Sequence, residues 1–270
     1  MNKTAIVWTD FSWNLWSGCT PVSEGCRYCY ARTLAERLRG SPGFPNGFEL
    51  TMRPHKLREP ARLNRKVGQV DGARAMVFVC STSDFFYEAV GDATRELALE
   101  AMTACTNLTF QVLTKRPSAA QEYFTHRPVP PNVWLGVTVE NASHYDRIDR
   151  LVTIDAPIRF ISAEPLLGEL NDLPLDGIDW VIVGGESGQH LQDKDTRLKR
   201  SLVCKPLGKW VPRGHRMDWV RSIRDQCDAA DVAFLFKQWG GLKPHSAGRT
   251  LDGRTYTEYP TQKRPCKETP

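Results

Sequence analysis

The sequence predicts an α/β chain wound as a (β/α) barrel, complete or partial, with about six or seven parallel strands. Three observations carry that expectation. Short apolar runs alternate with helical patterns through the middle of the chain, as in successive βαβ units. Almost every run leads directly into a polar, chemically capable cluster. The chain of 270 residues, 41% hydrophobic and 25% charged, can bury one substantial core.

The elements follow in order. A first strand is expected beside a cysteine-bearing loop, and Tyr30–Arg39 after it is helical in propensity until Gly40-Ser41-Pro42-Gly43 stops it. Ala75–Ser81 reads as a buried strand, and Asp92–Cys105 carries apolar residues at helical spacing. Strand Thr109–Thr114, a helix near Ser118–Phe124, strand Val133–Val139 and a helix near His144–Leu151 come next. Strands Ile158–Ser162 and Trp180–Val183 precede a polar stretch, Gln189–Pro212, which interrupts the alternation. A helix over Met217–Ala229 and strand Ala233–Phe236 complete it. The tail after Gly241 is rich in Pro, Gly, Thr and charge, and reads as a loosely ordered extension or a short hairpin around Leu251–Arg254.

The clusters at the strand ends separate two architectures. They are Ser81–Asp84, Thr114–Arg116, Thr138 with Glu140 and Asn141, Ser162 with Glu164, Gly184–Glu186, and Lys237-Gln238. A doubly wound sheet would concentrate function at one switch point, whereas a barrel brings every strand end to one face. Chains turn where strands end, so polar residues there are ordinary. Six such clusters nevertheless favour a shared site.

No run is long enough to span a bilayer, and the N-terminus lacks the basic, apolar and small-residue parts of a signal peptide. The expected setting is the cytoplasm, with no membrane partner. In that setting the eight cysteines read as metal or redox groups before they read as disulfides. Three of them, Cys19, Cys26 and Cys29, are spaced C-x6-C-x2-C, and the other five are scattered singly. Iron–sulfur clusters normally use four cysteines. Three thiolates can hold three irons of a cubane and leave the fourth open to chelate the amino and carboxylate groups of S-adenosylmethionine (SAM). The alternative is structural zinc, with His55, Cys80 or Cys204 as a fourth ligand from afar.

The segment Ser17–Arg32 resembles the cluster loop of radical SAM enzymes, usually C-x3-C-x2-C with an aromatic residue just before the third cysteine. Tyr28 stands in that place, where the ring lies against adenine; the first spacer is six residues instead of three. The runs SGCTPVSEGCRYCYA, SAEPLLG, WVIVGGESG and FKQWGG resemble a radical SAM-like three-cysteine family encoded by phages and mobile elements, with no assigned reaction. That family is distantly similar to the photoproduct lyases that repair DNA. The resemblance implies a [4Fe-4S] cluster on Cys19, Cys26 and Cys29, SAM as cofactor, an external electron donor, and a three-Cys-motif partner protein. In the family an ARPM-like segment closely follows the GGESG run. Here the basic stretch near 189–212 replaces it, an apparent insertion in a domain of residues 1–241 that precedes a polar extension, 242–270.

Further candidates sit at the strand ends. Gly184-Gly185-Glu186 resembles the element that holds the SAM amino group, although Ser81, Ser83 and Asp84, after the second strand, match that role better by position. Helix or turn capping is their structural alternative. Glu140 and Glu164, with Ser162 beside them, could bind ribose hydroxyls or the methionine amine. Lys115 and Arg116 could hold the SAM carboxylate or a substrate phosphate, and for each a structural ion pair is the alternative. Lys237 closes the last strand, where Trp239 could stack on a base or plug the barrel. Trp13 and Trp16 are expected to shield the loop, and Cys80 is a candidate hydrogen-atom donor or simply a small buried hydrophobe.

The net charge of +5 is concentrated in two stretches, Arg53–Lys66 and His190–Arg216; the latter holds eight Lys/Arg, Lys199 and Arg200 among them, against Asp193 and Asp195. Such patches could grip the phosphates of a nucleic acid or nucleotide, or be solvated loops. Two functions follow: a radical SAM enzyme that repairs or modifies a nucleic acid or nucleotide, or a non-catalytic iron–sulfur or zinc module that binds nucleic acid or a partner.

Overall fold

The computed structural model describes residues 1–261, so Cys266 and the end of the expected extension lie outside the described residues. The chain opens with β1 (Asn2–Lys3), β2 (Phe11–Trp13), β3 (Trp16–Ser17), α1 (Tyr30–Arg37), β4 (Thr51–Met52) and α2 (Glu59–Val67). It continues through β5 (Ala75–Val79), α3 (Asp92–Thr103), β6 (Leu108–Thr114), α4 (Pro117–Phe124), β7 (Val133–Thr138), α5 (Asp146–Val152), β8 (Arg159–Ala163) and β9 (Trp180–Gly184). The last part is α6 (Lys194–Arg200), β10 (Val203–Cys204), β11 (Val211–Pro212), α7 (Gly214–Ala229) and β12 (Ala233–Gln238).

Eight strands form one sheet in the order β1-β2-β5-β6-β7-β8-β9-β12. From β2 onward all neighbours are parallel, and β1 pairs antiparallel at one edge. Strictly sequential winding has no switch point, so the structure is the partial barrel and not the doubly wound sheet. The sheet curls into an open half-barrel, because β12 does not pair with β1 or β2.

The period-two alternation of each strand sorts its side chains between two layers. Val77, Val112, Leu135, Ile161, Val181 and Phe236 share a core with Ala98, Met102, Ile148, Leu151, Val220 and Ile223 of the helices. The opposite set, Phe78, Trp134, Phe160, Trp180, Ile182 and Leu235, fills the concave side, closed below by Trp8. At Gly136 a β-carbon would run into the Phe160 ring, so only glycine fits in that layer. The inward row continues upward as Thr138, Ser162, Glu164, Gly184 and Lys237. The base of the half-barrel is thus dry and aromatic, and its C-terminal mouth is polar.

The segment past Gly241 differs from the loose extension expected. Leu251 and Tyr256 are buried, and Thr257 bridges to Leu235 in antiparallel fashion. Phe236 N–H donates to Tyr256 O at 3.1 Å, and Trp180 Nε1 donates to Glu258 O at 2.9 Å. The physical reason is the open edge: an uncovered β12 would expose unpaired backbone groups, and this segment satisfies part of them. The Leu251–Arg254 hairpin forms as a tight bridge. Among the described residues no helix is long and apolar enough to cross a membrane.

Candidate functional site

The cysteine loop leaves β3 at the mouth and returns through α1. Trp13 and Trp16, fully buried, hold its base; Trp16 Nε1 donates to Asp84 O at 3.2 Å and Trp13 Nε1 to Lys56 O at 3.0 Å. The loop is then stitched to the end of β5. Gly18 N–H donates to Thr82 O at 3.0 Å, and Ser83 Oγ donates to Gly18 O at 2.7 Å. Asn14 braces the same turn, accepting from Thr82 N–H at 3.0 Å and meeting Ser81 Oγ at 3.1 Å.

Beyond Gly18 the loop is gripped from three other strand ends. At β6, buried Arg116 donates through Nη2 to Thr20 O (2.9 Å) and Thr20 Oγ1 (3.0 Å), and through Nε to Glu88 (2.8 Å). Its Nη1 faces Asp84 at 3.5 Å, and Asp84 also accepts from Thr114 Oγ1 (2.7 Å) and Lys115 N–H (2.9 Å). At β7, Glu140 is fully buried and accepts from Ser23 Oγ at 2.5 Å and Arg147 Nη1 at 2.9 Å, with His144 Nε2 at 3.6 Å. At β9, Glu186 receives Arg200 through two hydrogen bonds of 2.8 Å, with His190 Nε2 at 3.1 Å. Arg200 also donates to Glu24 Oε1 at 2.5 Å and Glu24 O at 3.1 Å. Burial alone would push the Glu186 carboxyl up, but the Arg200 and His190 bonds hold it below the usual carboxylate range.

Cys19 and Cys29 pack against a small apolar shelf of Ala31, Ala35 and Phe48. Burial, then the charge of Asp84 and then Cys29, push the Cys19 thiol up to about 12; Arg116 opposes this, and Cys26 adds to the upward push. The three thiols therefore share one electrostatic neighbourhood. Among the described residues no three His, Cys, Asp or Glu side chains converge on one point as ligands of a single ion would. The donor set itself, three thiols on one loop, is of the soft kind that iron–sulfur clusters take, and positive irons would offset the cost of ionising Cys19. The distant zinc ligands stand apart: His55 is exposed, and the Cys204 thiol donates to Val211 O at 3.7 Å within the β10–β11 pair.

The remaining candidates are placed as follows. Lys115 is half-buried and donates to Thr138 Oγ1 at 3.3 Å; it has no ion pair among the described residues. Ser162 is buried in the same inward row. Glu164 takes Lys237 Nζ at 2.5 Å and lies over Gly184, where a β-carbon would sit 3.0 Å from its carboxyl carbon. The Gly185 backbone lies so close to Trp239 O that no side chain fits. Trp239 is buried, donates to Thr250 O at 2.8 Å and meets Phe236 at 4.6 Å, which makes it a plug. Cys80 is 2% exposed, its thiol set against the backbone of Trp16 and Leu15, and burial pushes that thiol up. Tyr28 stacks on His190 with centroids 4.1 Å apart and rings 3° from parallel. Lys199 is exposed on α6, away from these pairs, and Arg200 is spent on two carboxylates.

Sequence reasoning passes over Asn14, Thr20, Ser23, Glu24, Arg147 and His190. Glu24 and Ser23 lie inside the cysteine motif itself, which is the one signal available for them. Arg147 and His190 carry none, since each earns its place only through a fold that turns it back on the loop.

The likeness to solved structures agrees with this architecture. One spore photoproduct lyase variant matches with a TM-score of 0.55 at 11% identity, over 84% of this chain and 76% of that one. A second, with bound AdoMet and dinucleoside spore photoproduct, matches with a TM-score of 0.51 at 10% identity, over 82% and 74%. A third, with the dinucleoside photoproduct, matches with a TM-score of 0.51 at 11% identity, over 80% and 72%. At such identities the likeness is one of fold alone. No curated protein sequence matches the chain. A family model does, over residues 3–206 and 210–260, and the chain belongs to that family, described as protein of unknown function (DUF5131).

Proposed function

We propose that this chain is a radical SAM-type enzyme whose substrate is a nucleic acid or nucleotide. One observation carries the reading: the three thiols sit on a single loop at the C-terminal mouth of a sequentially wound half-barrel, clamped there by four strand ends. In this reading Cys19, Cys26 and Cys29 hold a [4Fe-4S] cluster through three of its irons. Such a cluster, fed by an external electron donor, would supply the one-electron reduction that cleaves SAM to methionine and a 5′-deoxyadenosyl radical.

The chain's own residues bind and orient. Lys115, whose side chain donates to the Thr138 hydroxyl and forms no ion pair among the described residues, is a cation at the mouth able to meet a carboxylate or phosphate. Ser162 and the Glu164–Lys237 pair offer hydroxyl and carboxylate groups to ribose at the same level of the mouth. Asp84, Glu140 and Glu186 act through the loop, as positioning groups rather than ligands. The substrate class draws support from the exposed lysines of the basic stretch and from the dinucleoside bound in fold neighbours.

The test is anaerobic reconstitution with iron and sulfide, then dithionite and SAM, with and without nucleic acid. The expected result is visible charge-transfer absorbance that disappears in each of Cys19→Ala, Cys26→Ala and Cys29→Ala, and formation of 5′-deoxyadenosine. An intact cluster that never yields deoxyadenosine overturns the enzyme reading. That outcome selects a non-catalytic iron–sulfur module, which the pairing of Arg116, Arg200 and Lys237 with carboxylates favours.

A further inference from the structure

The basic stretch 189–212 carries α6 and the antiparallel β10–β11 pair, with residues 205–210 as the turn between those strands. Leu207, in that turn, is 107% exposed, the most of any large apolar side chain among the described residues. Its backbone sits in the left-handed region (φ 47, ψ 34), which leucine rarely adopts, and Gly208 follows at φ 80. A simple turn would place Asn or Gly there. The family match covers residues 3–206 and 210–260 and leaves Leu207-Gly208-Lys209 outside it.

The turn is presented stiffly. Arg213 donates through Nε to Val203 O at 2.9 Å and through Nη2 to Arg197 O at 3.0 Å. Arg197 and Lys205 lie over the Trp210 ring at 5.8 and 5.4 Å. The base of the hairpin rests on the mouth, with Leu202 against Gly185 beyond β9 and Trp210 against Gly241 beyond β12. While the arginines of the stretch are used internally, Lys194, Lys199, Lys205 and Lys209 are exposed and form no ion pair among the described residues.

We propose that this hairpin tip is a wedge for duplex DNA: Leu207 enters the base stack at the rim of the mouth, and Lys205 and Lys209 hold the flanking phosphates. The proposal rests on the reading of the substrate as nucleic acid, and it names the group that opens the duplex towards the site. An apolar side chain between base steps with cations on either side is an economical way to unstack DNA locally. Lysines without carboxylate partners are free to displace counterions from phosphates. One isolated leucine offers too little apolar area to seat a membrane surface or a protein partner.

The test uses the full chain and a fluorescein-labelled duplex carrying 2-aminopurine, titrated by anisotropy over a range of salt. The wild type is expected to bind with strong salt dependence and to raise 2-aminopurine emission as bases unstack. Lys205→Glu with Lys209→Glu should weaken binding at least about tenfold and lower the log–log salt slope by about two. Leu207→Ser should leave that slope unchanged while abolishing the rise in emission. All three side chains are exposed, so circular dichroism should be unaltered. Wild-type binding that no variant alters overturns the wedge and leaves the substrate reading standing. A wild type that binds anionic vesicles but no duplex also overturns the wedge, and the deoxyadenosine assay with nucleic acids then decides the substrate reading independently.

Discussion

Arg200 grips Glu186 through two hydrogen bonds of 2.8 Å and in the same posture reaches Glu24 Oε1 at 2.5 Å. A single guanidinium from α6 thereby ties the end of β9 to the middle of the cysteine loop. Its Cζ also lies 5.0 Å from the centroid of the Tyr28 ring, which is itself stacked on His190. The planar fork of arginine suits such a three-way contact, and lysine would not reproduce it. The stretch that carries α6 is thus joined to the site and is not merely carried beside it.

This lock has a defined pH window. Glu186 is held below the usual carboxylate range in the folded chain, so its contribution is fully present above the unfolded value and is lost as pH falls through the lower folded value. The amides of 194–212 should therefore stay protected from hydrogen exchange from neutral pH down to about 5, and lose protection in stronger acid, after correction for intrinsic rates. Glu186→Gln should exchange faster at neutral pH and lack that acid step. Unchanged protection in the variant would show that this segment is held by its apolar contacts alone.

Removing the second clamp should be more damaging. The Arg116 and Asp84 side chains are 5% and 7% exposed, and truncating one partner of a buried pair strands the other, at a cost of about 3–5 kcal/mol. Arg116→Ala should lower unfolding free energy by that order in denaturant titrations and release Thr20 from β6. Arg116→Lys should recover little, because one ammonium cannot serve Thr20, Glu88 and Asp84 together. A variant as stable as the parent would mean that Asp84 is satisfied by Thr114 and Lys115 N–H without the charge.

The strands and their common mouth were legible because both rest on local patterns. β-Branched and aromatic runs such as Ala75–Val79 and Trp180–Gly184 have no competing helical period, and polar residues end them in sequence order. The use made of those polar residues was not legible. Glu140, Glu186 and Asp84 read as ligand groups by position, yet each turns towards the cysteine loop, because Ser23, Arg200 and Arg116 arrive there only by tertiary folding. Helix starts also moved. α7 begins at Gly214 rather than Met217, since polar Gly214-His215-Arg216 has little apolar period although Arg216 is buried against the carbonyls of Leu198 and Lys199. The edge-covering segment 251–258 was hidden by its Gly, Thr and charge content, which reports solvent preference and not edge pairing.

Reactivity of the apoprotein offers a direct probe of the thiol cradle. With its thiol pushed up to about 12 by burial and the neighbouring negative groups, Cys19 carries almost no thiolate at pH 8. Relative to an unperturbed thiol near 8.5, its alkylation should be slower by roughly a thousandfold and should accelerate with pH well past 10. Mass-resolved iodoacetamide labelling measures this residue by residue. Rapid labelling of Cys19 at pH 8 would place it outside the buried setting described here.

Gly25 and Glu140 supply the sharpest steric test of the loop. A β-carbon at Gly25 would strike the Glu140 carboxylate, which is fully buried and fixed by Ser23 and Arg147. Glu140 cannot retreat, since leaving Arg147 unpaired in the interior costs more than shifting the loop. Gly25→Ala should therefore displace the stretch between Cys19 and Cys26 while the half-barrel beneath stays folded. The expected result is a large loss of iron and visible absorbance after reconstitution, with a drop in stability of about 1–3 kcal/mol from overpacking. Glu140→Asp, one methylene shorter, should restore space in the double variant and recover part of the cluster. Gly25→Ala with full cluster occupancy would mean that the loop is not held against β7 when it binds iron.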